Sequence, residues 1–445
     1  MKENKMGTKN IGPLLVEMSL PIMVSMLVQA LYNIVDSYFV SRISENAFAA
    51  VSLVYPVQYI MTGLGVGTAV GINALLSRSL GEKNFNKANL AAENGILLAF
   101  IHYLIFLAFG LILPRIYLQT QTSDPEIIKY GVQYISIVTI FSIGAFMQLT
   151  IERIFQSVGK TLYTMFTQIF GMVVNIILDP ILIFGLFGFP KMGIAGAAVA
   201  TVTAQILSAC LCAFINHFYN KDVTIKTIRP DLDTIKEIYK VGFPSFALIA
   251  VTAMTIYFMN MILGKFTSTA VVALGAYFKV RSFIFLPVFG LNSATIPIVA
   301  YNYGAKNKER ARRTVELALK VATLIMLVGF VILQVYPDRL LMIFKASDKL
   351  LAVGVPALRI ISFAYFGAGY NIASSGSFQA LGNGVISLNS SIIRQVGALL
   401  PIAYLLSLTG NVNMVWWCYP ISEFVAFIYC RHYLKNFTFK IIDNL

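Results

Sequence analysis

The chain of 445 residues contains an internal repeat of half its own length. Residues 14–162 recur at a constant offset of 223 positions, without a net insertion. The repeat keeps prolines and glycines that shape a backbone, among them the pairs Pro21 and Pro244, Gly81 and Gly304, and Gly159 and Gly382. A period of this length is far longer than that of a solenoid repeat. It therefore predicts two similar halves of one architecture.

The composition indicates that both halves lie in a membrane. Apolar residues make up 58% of the chain and charged residues only 12%, whereas soluble domains carry roughly 25% charged residues. Apolar stretches of about 20 to 30 residues recur along the whole chain, and each is long enough to cross roughly 30 Å of hydrocarbon. We predict an all-α polytopic membrane protein with six helices in each half, over residues 14–40, 48–77, 90–114, 130–151, 162–187, 194–216, 238–264, 270–299, 315–337, 354–378, 387–408 and 412–434.

Doubled membrane units are typical of secondary transporters, which place a substrate site between two lobes. The longest polar stretch, residues 217–240, contains a proline and separates the two halves. We predict an N-terminal six-helix lobe over 1–216, a cytoplasmic linker over 217–240 and a C-terminal six-helix lobe over 241–445. An even number of helices in each half predicts the same orientation for both lobes.

The net charge of +14 would suit a nucleic-acid partner, but the positions of the basic residues argue against one. Counted in alternate connections, Lys and Arg number 21 on one side and 8 on the other. Such an excess marks the cytoplasmic side of a membrane protein. We predict a multi-pass protein of a bacterial-type cell (inner) membrane, with both termini cytoplasmic, membrane lipid as its surroundings and no nucleic-acid partner.

Two carboxylates at membrane depth are the main functional clue. Asp36 and Asp179 each lie near the middle of an apolar stretch, where a charged group costs roughly 2.5 to 3.5 kcal/mol and usually faces a cavity or a partner. Helical spacing places Gln29, Tyr32 and Asn33 on the same face as Asp36. We expect this polar stripe to face the interior of the protein.

Asn175 and Asp179 are one helical turn apart, and Pro180 follows directly. A proline inside a helix leaves the carbonyl four residues earlier, here that of Ile176, without its usual donor. Carboxylate, amide and carbonyl oxygens suit a proton or a small hard cation. The structural alternative is a polar contact that holds helices together. At the repeat offset Asp179 corresponds to Ile402, so the ion site is predicted for the N-terminal lobe alone.

Four segments together give the chain a family resemblance over nearly its whole length. They are SLPIMVSMLVQALYNIVDSYFV, GLGVGTA before SRSLGEKN, NIILDPILIFG followed by GIAGAAVAT, and PIVAYNYGAKN in the second half. The chain resembles the multidrug and toxic compound extrusion (MATE) exporters. The resemblance implies twelve helices in two six-helix bundles around a V-shaped central cavity, and drug export against inward movement of H+ or Na+.

The resemblance also implies site residues. The cation site of the family's N-terminal lobe matches Asp36, Asn175, Asp179 and Thr201, and Pro21 matches the proline at which the first helix is proposed to bend. Pro180 is a second candidate hinge. Members of the NorM-like branch carry further acidic residues in the C-terminal lobe, but TAMTIYFMNMILG and SSGSFQALGNG contain none. The chain is therefore more similar to the DinF-like branch, and the choice between H+ and Na+ stays open.

Met and aromatic side chains that border a cavity can repack around varied drugs. Most such residues in a membrane protein face lipid or other helices. The candidates for a substrate cavity are Gln29, Tyr32, Asn33, Met61, Met254, Tyr257, Tyr277, Arg281 and Phe283.

Other charged residues near the predicted spans have structural interpretations. Glu152 and Arg153 lie at a predicted helix end, where we expect snorkelling or a local ion pair. Arg394 and Glu423 lie in the last two predicted helices and are candidates for an ion pair across them.

No enzymatic or nucleotide-binding motif competes with transport. The glycines of residues 63–67 lie inside an apolar stretch and lack the following GK[ST] of a phosphate loop. We predict a secondary multidrug antiporter that exports cationic or amphipathic small molecules in exchange for H+ or Na+, acts as a monomer, and needs no metal site or other cofactor.

Four alternatives remain. A lipid-linked oligosaccharide flippase of the same superfamily would bind a polyprenyl-diphosphate sugar, and a non-drug metabolite exporter would differ only in substrate. An ion channel would conduct far faster than a transporter turns over. A membrane scaffold would tolerate neutralisation of both aspartates.

Overall fold

The computed structural model describes residues 4–225, 228–343 and 346–445, and every regular element within them is helical. Short helices cover Lys5–Thr8, Pro114–Gln121, Pro337–Met342, Val412–Val415 and Lys440–Asp443. The long helices are α1 (Ile11–Ser41), α2 (Glu45–Gly81), α3 (Phe85–Ile112), α4 (Pro125–Ile140), α5 (Ile143–Ser157), α6 (Thr161–Phe184), α7 (Ile194–Tyr219), α8 (Leu232–Gly264), α9 (Ser268–Gly304), α10 (Lys308–Val335), α11 (Asp348–Ser362), α12 (Tyr365–Ala380), α13 (Gly384–Ser407) and α14 (Cys418–Tyr433).

The predicted spans correspond to these helices with two differences. Within the described ranges nine single helices are long and apolar enough to cross a membrane, and two bent pairs raise the number to eleven. The predicted spans 130–151 and 354–378 are these pairs: α4 and α5 are bent by 46°, and α11 and α12 by 54°. The last predicted span, 412–434, contains α14, which is 16 residues long and continues as a π-helix.

The sequence repeat is also a repeat of local structure. Lys83 and Lys306 correspond at the offset of 223, and both adopt a left-handed backbone, with φ of 55° and 54°. The next residue in each half caps the following helix: Asn84 accepts from the backbone N–H of Lys87 at 3.0 Å, and Asn307 accepts from that of Arg310 at 3.2 Å. Such side-chain caps satisfy a free N–H of the first turn. Equivalent residues therefore end and begin equivalent helices in the two halves.

The described residues pack as two compact units. The N-terminal unit contains Val24–Leu80 and Asn84–Gly242. The C-terminal unit contains the described part of Met1–Met23, Gly81–Lys83 and Phe243–Leu445. Two boundaries lie inside α1 and α8, close to the repeated Pro21 and Pro244, and two more enclose Gly81–Lys83. The predicted lobes, divided at residues 217–240, are defined by the sequence repeat, and that division stays a prediction. The two compact units are defined by packing instead.

The connection between the sequence halves packs on the N-terminal unit. It is shorter than the predicted linker, because α7 extends to Tyr219 and α8 begins at Leu232, and its residues 226–227 lie outside the described ranges. The Asn94 side chain of α3 donates to the Arg229 carbonyl at 3.2 Å and accepts from the Asp231 backbone N–H at 2.9 Å. The start of α8 touches α2 so closely that a Cβ at Gly71 would overlap the Ile238 carbonyl oxygen.

The start of the chain packs on the C-terminal unit. The buried Asn302 side chain of α9 donates to the Met6 carbonyl at 3.0 Å. Arg310 of α10 donates to the carbonyls of Met6 and Lys9 at 2.9 and 2.7 Å. These bonds hold residues before α1 against helices of the second sequence half.

Candidate functional site

The N-terminal unit contains the four residues that the sequence assigned to a cation site. They come from three helices: Asp36 from α1, Asn175 and Asp179 from α6, and Thr201 from α7. All four are buried, with exposed fractions of 8%, 1%, 0% and 4% in that order. The two carboxylates lie within electrostatic range of each other. The helices therefore place two acids and two neutral polar groups in one interior region.

The polar groups of α6 and α7 are joined by hydrogen bonds. The Asn175 amide lies 3.4 Å from Asp179 Oδ1. With the amide turned, its nitrogen donates to Asp179 Oδ2 at 2.8 Å and its oxygen accepts from the Thr201 backbone N–H at 3.2 Å. Asp36 differs, because its Oδ1 is buried without a hydrogen-bond partner among the described residues. A buried polar atom without a partner costs about 1 to 3 kcal/mol, so a bound H+ or cation would relieve this site.

A cavity of about 120 Å³ lies beside the polar neighbours of this carboxylate pair, and neither Asp36 nor Asp179 lines it directly. Asn175 and Thr201 line it, together with Gln29, Tyr32 and Met61, three of the predicted substrate-cavity residues. Its other lining residues are apolar or neutral and include no Lys or Arg; the full set is Val28, Gln29, Tyr32, Met61, Thr62, Ala145, Gln148, Leu149, Gln168, Gly171, Met172, Asn175, Thr201, Ala204, Gln205 and Ser208. The cavity therefore offers hydrogen-bonding groups to a ligand, and the carboxylates place negative charge near it.

The predicted polar stripe of α1 is only partly interior. Asp36 is buried and Tyr32 is half-buried, but Gln29 and Asn33 are exposed. Gln29 still borders the cavity, and Asn33 does not. The substrate role of both residues stays a prediction.

Tyr134 of α4 is a site residue that the sequence did not single out. It is 2% exposed, its hydroxyl faces Thr201 and Gln58, and it lies within electrostatic range of both Asp36 and Asp179. One tyrosine among the 22 of the chain gives no sequence signal. Only the packing of α4 against the other helices of the unit identifies it.

Glu152 corrects an expectation from the sequence. It neither snorkels nor pairs with Arg153 within the described residues, since it is 3% exposed and Arg153 donates to Gln156 instead. The Glu152 carboxylate accepts three hydrogen bonds: from Gln148 at 2.9 Å, from Thr167 at 3.0 Å and from Gln168 at 2.7 Å. Helix α6 supplies two of these donors, which the neighbouring sequence of Glu152 could not reveal.

The C-terminal unit has a polar cavity of its own, of about 60 Å³. Tyr277 and Arg281, both predicted for a substrate cavity, line it. The expected ion pair lies in its wall: Arg394 Nη1 is 3.2 Å from Glu423 Oε2. The carboxylate also accepts from Asn371 at 2.7 Å.

Three other predicted substrate residues lie outside both cavities. Met254, Tyr257 and Phe283 are 45%, 63% and 51% exposed. Phe283 borders an apolar surface pocket instead. Their role in binding stays a prediction.

Both predicted hinge prolines lie inside continuous helices. Pro21 is within α1, and Pro180 is within α6, which continues to Phe184. Pro180 directly follows Asp179, so any bend of α6 at this proline would move the carboxylate.

A family model described as MatE matches residues 21–181 and 244–405. The two matched segments begin 223 positions apart, which is the offset of the sequence repeat. Among similar proteins are the multidrug export proteins MepA of Staphylococcus haemolyticus, 24% identical over 92% of this chain and 90% of that protein, and of Staphylococcus aureus, 25% identical over 91% and 89%.

Solved structures share the whole fold. A multidrug resistance MATE family transporter in an outward-facing conformation has a TM-score of 0.91 at 22% identity, over 100% of this chain and 99% of that one. A crystal structure of MATE in the straight conformation has a TM-score of 0.91 at 22% identity, over 100% of both chains. These matches confirm the predicted all-α fold of twelve helices in two lobes.

Proposed function

Since the chain belongs to the MatE family, we propose that it is a secondary multidrug antiporter, which exports cationic or amphipathic small molecules in exchange for H+ or Na+. The similar Staphylococcus proteins are named multidrug export proteins, which supports export of small molecules. The coupling ion is the one further ligand that this function requires.

One observation carries the proposal. Asp36 and Asp179 are buried beside a cavity that no Lys or Arg of the described residues lines. Two acids inside a protein repel each other when both are ionised, so the region favours uptake of a proton or a cation. A membrane scaffold has no need of ionisable groups at this depth.

Coupling follows if ion and substrate favour different states of the protein. With the carboxylates ionised, the negative charge attracts a cationic substrate. An arriving H+ or Na+ neutralises Asp36 or Asp179 and weakens the substrate's site, and α1 changes its bend at Pro21. The ion drives export only by its differential affinity for the two states.

The remaining assignments follow from the same features. The lack of carboxylates in TAMTIYFMNMILG and SSGSFQALGNG supports the DinF-like branch. The lack of one at Ile402, the counterpart of Asp179, supports an ion site in the N-terminal lobe. The distribution of Lys and Arg supports cytoplasmic termini in a bacterial-type inner membrane. We propose that the monomer is the transporting unit.

Efflux of a lipophilic cationic dye from proteoliposomes tests the proposal. A pH gradient and a Na+ gradient are imposed separately, so that one assay measures both export and the coupling ion. We expect dye movement with one gradient and none without either. We expect Asp179→Asn to abolish gradient-driven movement, because the neutral amide cannot take up the ion.

Asp233→Asn is the matched control. Asp233 has a side chain that is 89% exposed, so the same change of charge there should leave efflux unaltered. Gradient-driven efflux at the wild-type rate in both Asp36→Asn and Asp179→Asn would reject the proposal.

A further inference from the structure

The cavity of the C-terminal unit differs in charge from the cavity beside the carboxylate pair. Arg281 of α9, Arg394 of α13 and Glu423 of α14 are the charged residues in its wall. The other lining residues are neutral, and five of them are aromatic: Tyr277, Phe278, Phe285, Tyr365 and Tyr419. The charged groups leave the cavity with one excess positive charge.

The Glu423 charge is already matched. Arg394 lies 3.2 Å from one of its carboxylate oxygens and 3.4 Å from the other, and the Asn371 amide donates at 2.7 Å. A cation that entered the cavity would therefore have to break this buried pair. Removing a partner from a buried pair is strongly unfavourable.

Arg281 is the source of the excess charge. Its guanidinium lies over the Phe285 ring, 4.5 Å from the ring centroid, and it has no carboxylate partner within the described ranges. Stacking on a ring uses the face of the guanidinium and leaves its N–H edge free. A planar carboxylate is the group that such an edge binds through two parallel hydrogen bonds.

Two tyrosine hydroxyls in the same wall make no hydrogen bond of normal geometry among the described residues, although the Tyr365 hydroxyl faces that of Tyr277. Tyr365 is 1% exposed, and the hydroxyl oxygens of both Tyr365 and Tyr419 are buried. Arg281 lies within electrostatic range of both hydroxyls. Buried hydroxyls without partners are rare, and each calls for a ligand or water. Both can donate to an anion beside Arg281.

Helix α13 carries a π-helical turn where it borders the cavity. The turn covers Ile393–Leu399 and includes Arg394 and Gln395. Insertions of this kind weaken a helix and are frequent at functional sites. The turn directs two successive polar side chains of α13 into the cavity wall.

We propose that this cavity binds the carboxylate group of an aromatic organic acid. Arg281 pairs with the carboxylate, Tyr365 and Tyr419 donate to it, and aromatic side chains of the wall contact the ring carbon that bears the carboxylate. A volume of about 60 Å³ suits a monoanionic head group, and the excess of one positive charge matches it. As a binding site, the cavity does not depend on the proposed export function. As a transport site it rests on that function, and it would add acids and zwitterions to the proposed substrates.

Calorimetric titration of the purified protein in lipid nanodiscs tests the binding. The probes are 1-naphthoate and 1-naphthylmethylammonium, which share a ring system and differ in the sign of their charge. We expect the charge of Arg281 to strengthen naphthoate binding at least about tenfold, because a charged hydrogen bond contributes roughly 1.5 to 3 kcal/mol. It should not strengthen binding of the ammonium probe, which the carboxylates of the N-terminal unit can also attract. Empty nanodiscs give the heat of partition into lipid.

Three variants locate the site. Arg281→Gln should weaken naphthoate binding about tenfold or more. Tyr365→Phe should weaken it a few-fold without loss of folding, since the removed hydroxyl makes no hydrogen bond of normal geometry among the described residues. Arg359→Gln is the control, because Arg359 is exposed and does not line the cavity. It should bind naphthoate as the wild type does.

Unchanged naphthoate binding in both Arg281→Gln and Tyr365→Phe would overturn the inference, as would an equal loss of naphthoate and ammonium binding in Arg281→Gln. The Asp179→Asn variant distinguishes a failure of this inference from a failure of the proposed export function. That variant should lose gradient-driven efflux and keep naphthoate binding. If the wild type binds naphthoate through Arg281 but moves no dye under either gradient, the site stands and the proposed export function falls.

Discussion

The Tyr32 hydroxyl of α1 lies 3.1 Å from the Thr201 hydroxyl of α7. The backbone N–H of Thr201 meets the Asn175 amide of α6 at 3.2 Å when that amide donates to Asp179. A chain of polar contacts therefore runs from the helix that carries Asp36 to the helix that carries Asp179. A change in ionisation at one end has a route to the other through hydrogen bonds.

Tyr32→Phe should weaken this route and leave the carboxylates in place. We expect the concentration of coupling ion at half-maximal efflux to rise about five- to tenfold, since a net hydrogen bond contributes about 1 kcal/mol. The maximal rate should change less than this concentration. Tyr404→Phe, which removes a hydroxyl from a side chain that is 52% exposed, should behave as the wild type. If the ion concentration at half-maximal efflux is unaltered in Tyr32→Phe, Tyr32 takes no part in the coupling site.

Asp36→Asn should stabilise the protein while it impairs coupling. Asp36 Oδ1 is buried without a hydrogen-bond partner in the described part of the chain, and a neutral amide is less costly to bury than an ionised carboxylate. We expect the thermal transition of the purified protein to rise by roughly 1 to 4 °C at neutral pH. Asp233→Asn should leave the transition in place. A lower transition in Asp36→Asn would indicate that Asp36 holds the structure together.

Glu152→Gln should destabilise the protein. The carboxylate accepts from Gln148, Thr167 and Gln168, and a glutamine would point a donor at other donors. Loss of one such bond costs roughly 1.5 to 3 kcal/mol. We expect a lower thermal transition and a lower yield of folded protein. Glu237→Gln, at a side chain that is 46% exposed, serves as the control.

Gly71→Ala and Gly275→Ala should have opposite effects on stability. A Cβ at Gly71 overlaps the Ile238 carbonyl oxygen, whereas a Cβ at Gly275 would meet no described atom within 4 Å beyond its chain neighbours and the backbone of its own helix. Alanine in an open helical position stabilises by roughly 0.5 to 1 kcal/mol relative to glycine. Thermal unfolding should therefore occur at a lower temperature in Gly71→Ala and at an equal or higher one in Gly275→Ala. Equal transitions in the two variants would contradict the close packing of α2 on α8.

The helices themselves were predictable, because apolar length and membrane depth dictate them. The bends between α4 and α5 and between α11 and α12 were not. No proline lies at either break, Phe141–Ser142 or Phe363–Ala364, so the local sequence has no signal for them. That they occur at nearly equivalent places of the repeat shows that the two halves share this irregularity.

The burial of charged residues was predictable where a charge interrupts an apolar stretch. Asp36 and Asp179 are such cases, and the structure places both in one buried region. The surroundings of Glu152 and Tyr134 were not predictable, since their partners come from helices that the chain reaches only after a turn. The division into two compact units was not predictable either, because the start of the chain packs on helices of the second sequence half.

Equilibrium binding of a cationic dye to the purified protein, titrated with H+ and with Na+, tests the central claim most directly. Linkage requires that an ion which drives export also weakens substrate binding. We predict that the dye's Kd rises with one of the two ions in the wild type and in Asp233→Asn, and that Asp36→Asn and Asp179→Asn lose this dependence. An ion-dependent Kd of wild-type size in both site variants would contradict the assignment of the coupling site.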